Sequence, residues 1–257
     1  MASAPQNLPL FYQQLEPLST QRHADFKVRR TDTIGHLANT HAVPITVDEF
    51  TLGQRHYPIV FSVGPSPVPL ALLGLNEGVN TFVGQDGKVL DESVYIPAYA
   101  RRYPFMLARL REGNDEMSLC FDPSCELIGA FDEGEALFED GNPSAATRAI
   151  LEFAEQYEMA MQRTASFMND IVEAKLLMEG ELTINAEGVS DPIVYRGFQI
   201  INEEALIEMR GDQLRKLMRA GAIGLIYAQT FSLRLTREVF DRQVRQGKGP
   251  IAAPAKA

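Results

Sequence analysis

Tyr57-Pro58-Ile59-Val60-Phe61-Ser62-Val63-Gly64-Pro65-Ser66-Pro67-Val68-Pro69-Leu70-Ala71-Leu72-Leu73-Gly74-Leu75 runs without a charge. Its length is that of a membrane-spanning helix, but its composition forbids one. Pro58, Pro65, Pro67, Pro69, Gly64 and Gly74 interrupt it. Each proline removes a backbone donor and clashes with the preceding helical turn. The same residues suit two β-strands, Ile59 to Val63 and Leu70 to Leu73, joined by a Gly-Pro-rich turn. No membrane span is expected here or elsewhere in the chain.

Strand signals continue outward from this block. Thr81 to Val83 reads as a strand. Asp86-Gly87, between Val83 and Val89, predicts a hairpin, because so tight a turn needs positive φ. Phe26-Lys27-Val28-Arg29 alternates as a strand does. Phe105 to Leu110 and Met117 to Phe121 read as a pair joined through Glu112-Gly113-Asn114-Asp115. Val47 to Arg55 predicts a short helix with Asp48 and Glu49 in its first turn. Tyr95 to Arg102 predicts another, with Pro97 near its start. Residues 1–20 read as an extended arm with Phe11, Tyr12 and Leu15 available to pack on the body.

Helix signals dominate the second half. Asn142-Pro143 predicts a helix start, since Asn caps and Pro suits the first helical position. Ile150, Phe153, Ala154, Tyr157, Met161, Ala165, Met168, Ile171, Val172 and Leu176 follow at spacings of mostly three and four, which makes one apolar stripe. A helix to Leu177 would be roughly 50 Å long. Leu182 to Ile184, Ile193 to Tyr195 and Gly197 to Ile201 read as strands. Asn202 caps a helical turn, Asp212 to Arg219 is amphipathic, and Ala222 to Gln243 is expected as one closing helix. Within it, Tyr227 and Gln229 are polar groups in an apolar run and need partners if buried. The expectation is an α+β fold, a mainly antiparallel sheet from the N-terminal half packed by the long helix and the C-terminal helices. Residues 1–245 are expected to form a single domain with an N-terminal arm, and 246–257 a disordered tail. Gly180 to Asp191 is the best place for a partial boundary.

Composition narrows the functions. At 257 residues, 45% hydrophobic and 23% charged, the chain is an ordinary soluble globular sequence. A net charge of −10 disfavours general nucleic-acid binding, which needs Lys and Arg against phosphate, and docking on an anionic membrane. Residues 112–147 hold ten acids and no Lys or Arg, yet they lack the alternating oxygen ligands and final Glu of a calcium loop. They are expected to be a solvated acidic region. Cys120 and Cys125 flank Asp122-Pro123-Ser124 and read as reduced thiols of a cytoplasmic protein. The start, Met1 to Leu10, lacks the basic and apolar regions of a secretory signal.

No catalytic motif stands out. His23-Ala24-Asp25 has the spacing of two facial-triad ligands, but His36, His41 and His56 are poorly placed to supply a third. No Gly-x-Ser-x-Gly, phosphate loop or dinucleotide fingerprint occurs, so no metal or other cofactor is expected. The sharper pattern is aromatic. Tyr95, Tyr99 and Tyr103 recur at spacings of four, with Arg101 and Arg102 beside them and Pro104 closing the segment. Tyrosine rings and guanidinium groups together offer stacking and bidentate hydrogen bonds. Tyr57, Tyr95, Tyr99, Arg101, Arg102 and Tyr103 are therefore the candidate binding residues, weighed against plain packing of the tyrosines on a sheet.

The two Tyr-Pro segments, Tyr57-Pro58-Ile59-Val60-Phe61 and Tyr103-Pro104-Phe105, together with the strands between them, resemble the bacterial SapC family, named after a surface-layer gene cluster. His41-Ala42-Val43-Pro44-Ile45 with Glu49-Phe50 is similar to the family's lead-in, and Leu72-Leu73-Gly74-Leu75 and Asn80-Thr81-Phe82-Val83 to its next strands. Gly134-Glu135-Ala136-Leu137-Phe138 precedes the long helix as in the family, and Ala220-Gly221-Ala222 and Tyr227 to Leu233 are similar to its closing helix. The likeness covers roughly residues 20 to 240 and implies a non-enzymatic accessory protein of SapC type, binding a protein, peptide or small molecule. Two other readings stand beside it. One is an enzyme with a site between strand block and helices, favoured by a polar pocket around His41 or His56. The other is a structural assembly subunit related to a surface layer, favoured by an exposed helix stripe. Oligomeric state is left open.

Overall fold

The computed structural model describes residues 8–110, 117–185 and 192–249. The fold is α+β, with antiparallel sheets, one long helix and C-terminal helices. Contacts divide it into two units, Met1–Asp32 with Ala100–Met159, and Thr33–Tyr99 with Ala160–Ala257. No described helix is long and apolar enough to cross a membrane.

In the first unit, Phe105–Arg109 and Met117–Phe121 pair antiparallel, with Phe105 opposite Phe121 and Arg109 opposite Met117. The turn expected at 112–115 lies outside the described residues. Part of the expected arm joins this sheet, since Glu16–Pro17 pairs with Cys120 and Phe121. Tyr12 is buried and its hydroxyl donates to Phe105 O at 2.8 Å. A second sheet places Lys27–Val28 between Ile128–Gly129 and Glu135–Ala136. Phe105, Phe121, Ile128 and Leu137 form the core beneath.

Asn142-Pro143 does not start the long helix. Asp140 and Gly141 both take positive φ, the signature of a two-residue hairpin turn, so Asn142–Pro143 is drawn into pairing with Phe138–Glu139. The helix begins at Ala145, with Ser144 Oγ accepting from Thr147 N–H at 3.2 Å as an N-cap. It ends at Glu173 rather than Leu177. Leu176 N–H reaches back to Ile171 O, Lys175 N–H to Val172 O, and Lys175 has φ +56°. That is a Schellman stop, with lysine where glycine is usual. The side chains turned inward are Ala154, Tyr157, Ala160, Thr164, Phe167, Met168 and Ile171. Phe153 and Met161 are only half-buried, and Ala165 and Val172 are exposed.

The second unit is built on a five-stranded antiparallel sheet in the order Leu177–Glu179, Phe198–Ile201, Ile59–Ser62, Pro69–Leu72, Ala42–Pro44. The uncharged block supplies its third and fourth strands, and Ile59, Val60 and Phe61 are fully buried. Gly74 follows, where a Cβ would stand 1.9 Å from Val79 O, so only glycine permits the chain to fold back there. The Asp86-Gly87 turn forms with φ +78° at Gly87, but its flanks shrink to the single bridge Val83–Val89.

The expected closing helix is two helices, Ala222–Ser232 and Thr236–Arg245, broken by the 3-10 turn Leu233–Leu235. Asn202 caps Glu203–Ile207 through Ala205 N–H. Gln229 is buried and splices the sheet. After the register pairs Phe198–Ser62 and Gln199–Phe61, the next outward-facing pair is Ile201 with Ile59. There the Gln229 amide stands between strands, Nε2 donating to Ile59 O at 3.0 Å and Oε1 accepting from Ile201 N–H at 3.3 Å. Ser232 Oγ accepts from Ile59 N–H at 2.9 Å. Tyr227 is instead 41% exposed and stacks on Phe231. The tail is anchored over its first residues, with Gln246 donating to Thr81 O and Lys248 to Asn80 O. Residues 250–257 lie outside the description.

Candidate functional site

The six candidate binding residues divide between the units. Tyr57, Tyr95 and Tyr99 belong to the second, and Arg101, Arg102 and Tyr103 to the first. They do not share a helix face, because the helix is the single turn Ala98–Arg101. Prolines enclose it. The residue before a proline avoids helical backbone, which keeps Ile96 out at one end and Tyr103 out at the other. The Tyr103–Pro104 bond is cis.

In the second unit the tyrosines are set into packing. Tyr57 is fully buried, edge-on to Phe82 at 6.1 Å and pressed on Gly53, where a Cβ would come within 3.0 Å of its ring. Tyr99 is also buried. The Tyr95 hydroxyl donates to Glu49 Oε1 at 2.9 Å. Glu49 is itself buried and takes three more donors, Ala98 N–H on Oε1 and Thr46 N–H and Oγ on Oε2. A carboxylate sunk in the interior is tolerated when its lone pairs are filled in this way.

In the first unit, Arg101, Arg102 and Tyr103 line a recess of about 410 Å³. Its other walls are Val28, Arg29, Thr31, Leu127 and Glu135 from the second sheet and its loops, and the opening turns of the long helix. Ala146 and Ala149, small side chains one helical turn apart, leave the space open, and Ile150 and Phe153 form its apolar floor. The guanidinium groups sit against rings. Arg29 lies 3.6 Å over Phe131, Arg101 5.2 Å over Phe153, and Arg102 4.5 Å over Tyr157. Arg29 and Arg101 are exposed, whereas Arg102 is buried. Glu135, the carboxylate of the lining, is paired with Arg30 at 2.5 Å. Burial pushes the Glu158 carboxyl above its ordinary range, with the charge of Arg102 pulling the other way.

Tyr103 is half-buried, 5.2 Å edge-on from Tyr12. Burial above all, then the proximity of Cys125 and Asp122, raises its phenol pKa far above the ordinary value. The hydroxyl is thus a neutral hydrogen-bonding group, bonded toward Cys125 and Ser124. Arg29, Phe153 and the alanines went unnoticed in the sequence as site residues. The alanine spacing, Ala146 to Ala149 on the stripe side of a helix, was the available signal.

His23 is buried, with Nδ1 accepting from Ser19 N–H at 3.1 Å and Nε2 donating to Glu16 Oε1 at 3.2 Å. Both ring nitrogens are thereby engaged. Among the described residues no group of three His, Cys, Asp or Glu is placed to hold a metal ion. Cys120 and Cys125 are buried free thiols, and burial pushes Cys120 up to about 11.

Against known proteins, the SapC family model matches residues 18–239, most of the chain. No curated protein and no solved structure matches.

Proposed function

Since the chain belongs to the SapC family, we propose that it is an accessory protein of SapC type that binds a small ligand in the recess of its first unit. The observation that carries this reading is the lining itself, arginines held against aromatic rings over an apolar floor. Ligand sites are largely apolar concavities with a few fixed polar groups, and this recess has that composition. Three of the six residues singled out from the sequence, Arg101, Arg102 and Tyr103, lie in it. Binding is favoured over turnover because the lining holds no His or Cys and its one carboxylate is ion-paired. The assembly reading called for an exposed stripe on the long helix, and that stripe is buried.

The test uses Ala149→Trp. Ala149 is exposed, lines the recess and stands in a helix, so indole fills the space without entering the core. Wild type and variant are purified from the native host, and the small molecules released on denaturation are compared by mass spectrometry. A compound enriched on the wild type and lost from the folded variant supports the reading. Identical profiles from two equally stable proteins overturn it.

A further inference from the structure

We propose that the ligand class is an apolar monocarboxylate, an acyl-chain-sized body ending in one carboxylate, with Arg29 and Arg101 receiving the head group. This rests on the recess being a ligand site and adds the chemistry of what enters it. Charge selects an anion. The lining carries Arg29, Arg101 and Arg102 against the single acid Glu135, in a chain whose net charge is −10. Glu135 is engaged by Arg30, and Arg102 is buried beside Tyr157 within reach of the Glu158 charge. The exposed cations of the lining are Arg29 and Arg101.

Geometry selects a planar head. Stacking on a ring occupies the face of a guanidinium and leaves its N–H groups in the plane, the edge that forks onto a carboxylate. Arg29 is stacked in this manner on Phe131 at 3.6 Å, and Arg101 is set over Phe153. Their orientation is thus fixed by aromatic neighbours before any ligand arrives, which lowers the ordering cost of binding. The apolar body has a place as well. Leu127, Ile150 and Phe153 lie in the same lining, and Ala146 and Ala149 give an aliphatic chain room along the helix. Two exposed arginines against one paired glutamate suit a single negative charge better than a phosphate dianion, and the apolar floor disfavours a small hydrophilic anion, whose hydration it cannot replace.

Isothermal titration of the full chain with octanoate, octan-1-ol, octyl phosphate and acetate tests the assignment. Octanoate is expected to bind one to one, with octan-1-ol and acetate at least about tenfold weaker. Arg29→Gln and Arg101→Gln are each expected to weaken octanoate by about tenfold or more, and Ala149→Trp to abolish its heat. Arg101→Lys, which keeps the charge and loses the fork, should fall between wild type and Arg101→Gln. Octan-1-ol as tight as octanoate, or octyl phosphate tighter, overturns the carboxylate assignment. If Ala149→Trp still abolishes that heat, the recess reading survives. Octanoate binding unchanged in Ala149→Trp places the ligand elsewhere and overturns both. No heat from any probe overturns the assignment, and the extraction experiment then decides separately on the recess.

Discussion

Gln229 shows how a single side chain settles two strands. Its amide completes the ladder where Ile59 and Ile201 part. Replacing it by leucine keeps the volume but strands a buried N–H and a buried C=O, each at about 1–3 kcal/mol. Gln229→Leu is therefore expected to lower unfolding free energy by roughly 2–5 kcal/mol in urea titrations, and a change below experimental error would refute the splice. The sequence marked Gln229 as a polar group seeking partners but could not separate it from Tyr227. Two positions on a helix are turned about 200° from each other, so one faced the sheet and the other solvent. Cys120 offers a second test at this scale. Burial raises its thiol from an ordinary 9.0 to about 11. The unfolded thiol ionises first, so this contribution is intact below pH about 9 and is lost as pH rises through 11. Urea midpoints measured from pH 8 to 11 should fall more steeply for wild type than for Cys120→Ala, and parallel curves would contradict the assignment.

Among the elements, the long helix was the most legible and is still the most instructive. Its unbroken three-four pattern located it within a few residues, but local rules competed at both ends. The positive-φ turn at Asp140-Gly141 drew Asn142 and Pro143 into a hairpin, and Ser144 became the cap. The stripe was read along apolar residues alone and so passed over Thr164. That residue is buried with its hydroxyl donating to Ala160 O and accepting from Val47 N–H. Phe167, also passed over, packs edge-on to Phe50 at 5.9 Å and is 4% exposed. Phe167→Ala is expected to cost about 3–5 kcal/mol. Phe153→Ala, at a half-buried site, should cost clearly less. Guanidinium chloride unfolding of both variants orders them, and a larger loss at Phe153 would show the burial assignment reversed. The short helix after Tyr95 was overestimated for a local reason, since Pro97 and Pro104 leave only one turn between them.

At the scale of the molecule, the segregation of strand signals before residue 125 from helix signals after 140 was enough to place the chain as α+β. Pairing partners were not legible. Nothing local in Phe198–Ile201 names Ile59–Ser62 as its neighbour, because register arises from long-range packing. The recess was likewise only partly visible, since Arg101 to Tyr103 are contiguous but Arg29 and Ala149 meet them only in the fold. Charge does act at this scale. With net −10 and a 36-residue stretch lacking Lys and Arg, no salt-dependent affinity for generic duplex DNA is expected in fluorescence anisotropy at physiological ionic strength. A micromolar, salt-sensitive rise would show that the basic rim outweighs the overall charge. The sheet order has one more consequence, for synthesis. Ile59–Ser62 gains Pro69–Leu72 and Ala42–Pro44 almost as soon as it leaves the ribosome, but its other edge waits for Phe198–Ile201, more than a hundred residues later. At about 5–20 residues per second this interval is on the order of ten seconds. Throughout it the nascent chain presents an apolar strand with an open hydrogen-bonding edge, the feature by which chaperones and neighbouring nascent chains recognise unfinished protein.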